Sequence, residues 1–242
     1  MLTTFLLLLI ALAAGALGGL VGTGSSVILL PILVLLDGPR VAVPVMAIAA
    51  VLANAARVAA WWREIRWRPV IAYAMPGTPA AVLGAHTLMI IPQTVVDGVL
   101  AVFFVAMIPI RRLAVAREWR VRLWQLAVAG AVVGFLTGLV LSTGPLSVPI
   151  FTAFGLGAGA FLGTEAASAL VLYTAKLATF GELGALDHAM ILHGLIIGAA
   201  LMVGPFLTRG IVRRATARSY ALMIDAVLVV AAAGMAVAVL GL

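Results

Sequence analysis

The sequence predicts an all-α polytopic membrane protein, an inverted repeat of two five-element halves with short broken helices near the bilayer midplane. Three observations lead to this prediction. First, 65% of the residues are hydrophobic and 10% are charged, whereas soluble proteins carry about 25% charged residues. Second, apolar runs of about 20 residues, long enough to cross a bilayer, fill almost the whole chain. Third, two related glycine- and hydroxyl-rich interruptions occupy corresponding places in the two halves.

The first half contains five apolar elements, predicted at residues 2–21, 25–36, 41–60, 69–91 and 94–110. The first of them could be mistaken for a signal peptide, but it lacks the positively charged start of one and is interpreted as a transmembrane helix. The second element is short. Its twelve residues would rise about 18 Å as a helix, against a hydrocarbon core of about 30 Å.

The second half repeats this layout, with elements predicted at residues 121–141, 145–156, 160–180, 188–207 and 219–240. The stretch "GTGSSVILLPIL" (22–33) is echoed by "LSTGPLSVPIF" (141–151), and "ARVAAWW" (56–62) is echoed by "AKLATFG" (175–181). Matching features in the same order indicate an internal duplication.

A basic linker marks the boundary between the two copies. We therefore expect a single transmembrane domain, residues 1–242, with repeat 1 at 1–115 and repeat 2 at 116–242.

Charge in the loops predicts the orientation. Arginines cluster in segments 57–68, 111–122 and 209–218, whereas "GELGALDH" (181–188) carries two acids and no Lys or Arg. Because cytoplasmic loops are enriched in Lys and Arg, the three basic segments are expected inside and the acidic one outside. These assignments agree only if the short elements cross the membrane, so the halves insert in opposite orientations and both termini lie outside. The net charge of +7 thus reflects topology, and no nucleic-acid binding is expected.

Each interruption ends where a short helix begins. The first N–H groups of a helix lack partners within it and lie at the positive end of its dipole, and non-helical backbone at membrane depth must be buried in protein or line a cavity. Two such helix starts, facing one another near the midplane, predict a binding site for a small anion. Close helix packing through small residues is the alternative reading. The candidate residues are Thr23, Gly24, Ser25, Ser26, Ser142, Thr143, Gly144 and Ser147.

Polar residues inside the apolar elements extend this candidate site. Arg57 and Lys176 occupy matching positions of the duplicated pattern, where a cation either attracts the anion or snorkels to the interface. Asn54 and Tyr173, one turn earlier, are expected to donate hydrogen bonds to the site or to a neighbouring helix. Glu165 is the candidate for proton coupling, because its helix also carries Tyr173 and Lys176.

The chain offers no recognisable catalytic or metal centre. It has no cysteine, and the spacing of His86, His188 and His193 does not suit a metal. No Ser-His-Asp order, phosphate loop or pair of catalytic carboxylates can be assembled. We therefore expect neither an enzyme nor a cofactor.

The breaks followed by "LLPIL" and "SVPIF", the duplicated layout and "PGTPAAVLGA" (76–85) resemble the sulfite exporter TauE/SafE family over the whole chain. The resemblance implies a permease of the bacterial inner membrane that moves a small anion by alternating access: sulfite, a sulfonate, thiosulfate, or a related organosulfur or carboxylate compound. A proton and a sodium ion are the candidate coupling ions, and the sequence does not determine whether either is used. This chain carries hydroxyls where many members have further glycines, and these are expected to tune the pocket. The alternative is a non-transporting assembly partner or channel-like subunit.

Overall fold

All the elements of the described part of the chain are helices. The structure, a computed structural model, describes residues 2–22, 25–92, 120–139, 144–216, 219, 220, 222 and 223. Eight α-helices and one 3-10 helix lie within these residues. The predicted element at 94–110 lies outside the described residues, as do most of the linker and most of the predicted element at 219–240.

The helices follow the predicted order. In the first half they are α1 (Leu2–Val21), α2 (Ser25–Asp37), α3 (Pro39–Trp61), a 3-10 turn (Trp62–Glu64) and α4 (Trp67–Ile90). In the second half they are α5 (Leu123–Leu139), α6 (Gly144–Ala153), α7 (Ala158–Glu182) and α8 (His188–Arg214).

One boundary differs from the prediction by two turns. Helix α8 continues to Arg214 instead of ending at residue 207, so Arg213 and Arg214 lie in its last turn and not in a loop. Cations are favourable there because the last carbonyl groups carry the negative end of the helix dipole. The apolar run therefore ends before the helix does.

The two short helices are confirmed. Helix α2 has 13 residues and α6 has 10, so they rise only about 19 Å and 15 Å. Helix α1 ends before the first of them at Gly22, whose N–H donates to the Gly18 carbonyl oxygen at 2.9 Å. Gly22 has a φ of 84°, the left-handed conformation in which glycine commonly terminates a helix.

The most extensive helix contacts join one half to the other. Helix α1 packs on α8 and α4 packs on α5, while α3 contacts both α7 and α8, and α7 also contacts α4. Glycine allows the closest approaches: Gly204 of α8 lies against the backbone of Gly15 in α1, and Gly84 of α4 lies against the backbone of Phe135 in α5. Small residues let helix backbones approach in this way within membranes.

The buried apolar residues come from both halves. One cluster includes Ala11, Leu29, Leu88, Phe180 and Leu201, so α1, α2, α4, α7 and α8 share it. Among the described residues, two helical stretches are long and apolar enough to span a membrane, Arg40–Glu64 and His188–Arg214.

Candidate functional site

A small cavity lies where the two short helices begin. Ser25 and Ser26, the first residues of α2, and Gly144 and Ser147, from the first turn of α6, line it together with Gly22. Its volume of about 40 Å³ leaves room for about three water molecules. Its other polar lining residues are Asn54, Arg57, Tyr73, Thr137, Glu165 and Tyr173, and its apolar walls are Ala50, Ala53, Phe151, Ala169 and Leu172.

A buried ion pair between the halves lies in the wall of this cavity. Nη1 of Arg57, on α3, is 2.7 Å from Oε2 of Glu165, on α7. Arg57 is 7% exposed and Glu165 is 3% exposed. Removing two charges from water costs several kcal/mol per ion, and close pairing with further hydrogen bonds must offset that cost. Each residue therefore depends on its partner for burial.

Further hydrogen bonds hold the Arg57 guanidinium. It donates through Nη1 to the carbonyl oxygen of Gly22, at the end of α1, and through Nη2 to Oδ1 of Asn54. The Asn54 amide in turn donates to the Ala50 carbonyl oxygen, one turn back on α3, at 2.7 Å. Asn54 thus positions Arg57 from within the same helix.

The second oxygen of the Glu165 carboxylate faces the second break. Oγ of Ser147 donates to Oε1 of Glu165 at 2.9 Å, and the Gly144 carbonyl oxygen is an alternative acceptor at 3.2 Å. A hydroxyl has one proton, so it serves one of these acceptors at a time. The chain of contacts from Gly22 through Arg57 and Glu165 to Ser147 therefore connects the two breaks.

Lys176 does not line the cavity. Its side chain is fully buried at 0% exposure, and Nζ donates to the carbonyl oxygen of Thr137, in the last turn of α5, at 2.7 Å. It also lies 5.3 Å from the ring centre of Phe180. The ammonium group therefore points inward and does not snorkel. Thr137 itself lines the cavity, so Lys176 lies behind the wall.

Most of the predicted site residues that the structure describes line the cavity. Those that line it are Ser25, Ser26, Asn54, Arg57, Gly144, Ser147, Glu165 and Tyr173. Four others fall outside the described residues: Thr23, Gly24, Ser142 and Thr143.

Sequence reasoning missed two polar lining residues, Tyr73 of α4 and Thr137 of α5. The signal for Tyr73 was available, because it is one of only three tyrosines in the chain. It also missed the pairing of Arg57 with Glu165, which lie 108 residues apart in the chain. Within the described ranges, no cluster of three or more His, Asp or Glu residues is arranged to hold a metal ion.

Comparison with known proteins identifies the chain. A family model described as sulfite exporter TauE/SafE matches residues 7–235. The chain is 28% identical over 227 residues to "Probable membrane transporter protein YjnA" of Bacillus subtilis (strain 168), with 84% of this chain and 89% of that protein covered. None of the solved structures gives a significant match. The family match supports a transporter over an enzyme or a non-transporting subunit. The chain therefore belongs to the sulfite exporter TauE/SafE family and is a membrane transporter.

Proposed function

We propose that this transporter is a secondary permease for a small oxyanion, such as sulfite, a sulfonate or a related organosulfur compound. The anion binds in the cavity between the starts of α2 and α6 and moves by alternating access. One observation carries the proposal: two helix starts and the Arg57 guanidinium line the same buried cavity. The family description, which names sulfite, agrees with this substrate class.

The cavity lining has the chemistry that an oxyanion requires. The helix starts offer backbone N–H groups at the positive ends of two dipoles. The hydroxyls of Ser25, Ser26 and Ser147 are additional donors beside them. The guanidinium of Arg57 presents several N–H groups in a plane, which matches the geometry of oxyanions. A tetrahedral or pyramidal anion has enough acceptor oxygens to engage these donors together.

Alternating access is supported by how the helices pack. If the halves are exchanged, α1 corresponds to α5, α2 to α6, α3 to α7 and α4 to α8. The contact of α1 with α8 then corresponds to that of α5 with α4, and the contact of α3 with α8 to that of α7 with α4; both members of each pair occur. Such matched packing favours inverted repeats, at 1–115 and 116–242 of one domain, that rock against each other around a central site.

The position of the ion pair fits this scheme. The contact between α3 and α7 corresponds to itself when the halves are exchanged, so it lies on the proposed symmetry axis. Arg57 and Glu165 sit on these two helices. A site at the axis is the one place that both repeats reach equally in either orientation of the transporter.

Flux measurements test the proposal. We expect purified protein in proteoliposomes to catalyse saturable uptake of at least one of sulfite, thiosulfate and methanesulfonate. Ser25→Ala removes a cavity hydroxyl and should weaken the apparent affinity by about 2- to 10-fold, since one hydrogen bond contributes about 0.5–1.5 kcal/mol.

Thr174→Ala is the matched control for this substitution. It removes an exposed hydroxyl of α7 that bonds only within its own helix, to the Leu170 carbonyl oxygen at 2.7 Å, and it should leave the affinity unchanged. Uptake of all three anions no faster than in protein-free liposomes would refute the proposed function.

A further inference from the structure

We infer that the Glu165 carboxylate competes with the transported anion for the hydrogen-bond donors of Arg57 and Ser147. Each anion that binds therefore requires one proton on Glu165. The inference rests on the anion site proposed above and identifies its coupling ion as a proton.

The donors that hold Glu165 are those that an incoming oxyanion needs. Arg57 donates to one carboxylate oxygen at 2.7 Å and Ser147 donates to the other at 2.9 Å. These donors come from opposite halves of the chain, as expected for a ligand held between two repeats. A carboxylate and an oxyanion are both acceptors with negative charge, so they cannot share these donors without strong repulsion.

Space in the cavity is limited. Its volume of about 40 Å³ is room for about three waters, so a single oxyanion would fill it. Glu165 lines this space. A neutral Glu165 side chain, no longer attracted to the guanidinium, can turn away and leave both room and donors to the anion.

The charges around Glu165 make the replacement of its carboxylate by the anion depend on one proton. Arg57, from α3, is the only cation within hydrogen-bond distance of it among the described residues. In the part of the chain that the structure describes, the hydroxyls of Tyr73, from α4, and Tyr220, beyond α8, also interact electrostatically with it. Tyr173, on α7 itself, lines the same cavity.

The other elements that pack on α7 do not change the charge balance between Arg57 and Glu165. Helices α5 and α6 contain no titratable residue. From α8, Arg209 and Arg213 lie over the ring of Trp61. In the 3-10 turn, Glu64 pairs with Arg213 at 3.9 Å, and Arg63 lies over Trp62.

The two states of Glu165 therefore differ in net charge at the site. With Glu165 ionised, the pair is neutral, because the carboxylate already balances the charge of Arg57. With Glu165 protonated, the positive charge of Arg57 is uncompensated in a buried environment, where its attraction for an anion is strong. The proton goes onto the carboxylate and the anion takes its place beside Arg57. For a monovalent anion, the loaded site has the same net charge as the empty one.

Proton counting on the unmodified protein tests the inference directly. The probes are thiosulfate and methanesulfonate, because neither takes up a proton near neutral pH, so that any proton consumed is bound by the protein. Titration calorimetry in buffers of different ionisation enthalpy should show uptake of one proton per anion. Affinity should fall by up to about tenfold per pH unit over the range in which Glu165 is ionised.

The variant Glu165→Gln supplies the second measurement. It should bind the anion with no proton uptake and with an affinity independent of pH. In proteoliposomes it should retain anion exchange but lose the accumulation driven by a pH gradient. Glu182→Gln, which changes an exposed acid at the end of α7, should behave like the unmodified protein.

The outcomes separate the two proposals. No saturable binding or flux for any probe would overturn the proposed function, and this inference with it. Saturable binding by the unmodified protein without proton uptake would overturn this inference alone, as would an unchanged pH dependence in Glu165→Gln. If Glu165→Gln does not fold, the proton count on the unmodified protein still decides the question.

Discussion

The Lys176 ammonium lies 2.7 Å from the carbonyl oxygen of Thr137 and donates a hydrogen bond to it. Thr137 is in the last turn of α5, just as Gly22, the acceptor for Arg57, directly follows α1. The last carbonyls of a helix lack partners within it and favour cations. The two cations at matching sequence positions thus each donate to a carbonyl oxygen at the end of the helix that precedes a break. Only Arg57 also lines the cavity.

This arrangement predicts that Lys176 acts on stability more than on affinity. Lys176→Met should lower the free energy of unfolding by about 1–3 kcal/mol, because the buried hydrogen bond from Nζ to the Thr137 carbonyl oxygen is lost. The affinity for thiosulfate should change less than it does in Ser25→Ala. Thermal unfolding in detergent and equilibrium binding would measure the two effects, with exposed Arg68→Met as the control. A large loss of affinity at full stability would mean that Lys176 contacts the anion.

A second prediction concerns Gly22. Its φ of 84° costs a residue with a Cβ about 1–2 kcal/mol, and the added Cβ would lie 3.2 Å from Nη1 of Arg57. We expect Gly22→Ala to lower both stability and anion affinity. Gly155 has the same φ but no atom within 4 Å of the added Cβ, so Gly155→Ala should lower stability alone. Equal anion affinity in the two variants would show that Gly22 does not influence the position of Arg57.

A third prediction tests the packing of α1 on α8. A Cβ on Gly204 would overlap the backbone of Gly15, whereas a Cβ on Gly210, farther along the same helix, would meet nothing within 4 Å. Gly204→Ala should therefore destabilise the protein by at least about 1–3 kcal/mol, as overpacking of a tight contact does. Gly210→Ala should be nearly neutral. Similar thermal unfolding temperatures for both variants would show that α1 and α8 do not approach so closely.

The fourth prediction concerns orientation in the membrane. Glu64 lies against Gly159, at the start of α7, while Glu182 is at its other end, about 36 Å away. Because the unmodified chain has no cysteine, single cysteines can report on each end. A membrane-impermeant maleimide applied to intact cells should label Glu182→Cys, whereas Arg66→Cys, beside the 3-10 turn, should react only after permeabilisation. The reverse pattern would place both termini inside.

The sequence by itself determined where the helices lie and where they break. Helix α2 was predicted at 25–36 and runs from Ser25 to Asp37, and α6 was predicted at 145–156 and runs from Gly144 to Ala153. These boundaries depend on local properties: the length of an apolar run, the positions of glycine, and the hydroxyls at a helix start. The local pattern failed at the end of α8, where the helix continues to Arg213 and Arg214, cations that are favourable near the negative end of the helix dipole.

Only the tertiary structure decided which polar residues meet. Arg57 and Lys176 hold matching places in the sequence, yet Arg57 pairs with Glu165 in the cavity wall while Lys176 turns to Thr137 behind it. Tyr73 reaches the cavity from a helix that carried no predicted site residue. The faces of α3, α4 and α7 that meet are set by packing between residues distant in the chain. Side-chain partners across those faces therefore depend on the assembled helices and not on any local stretch.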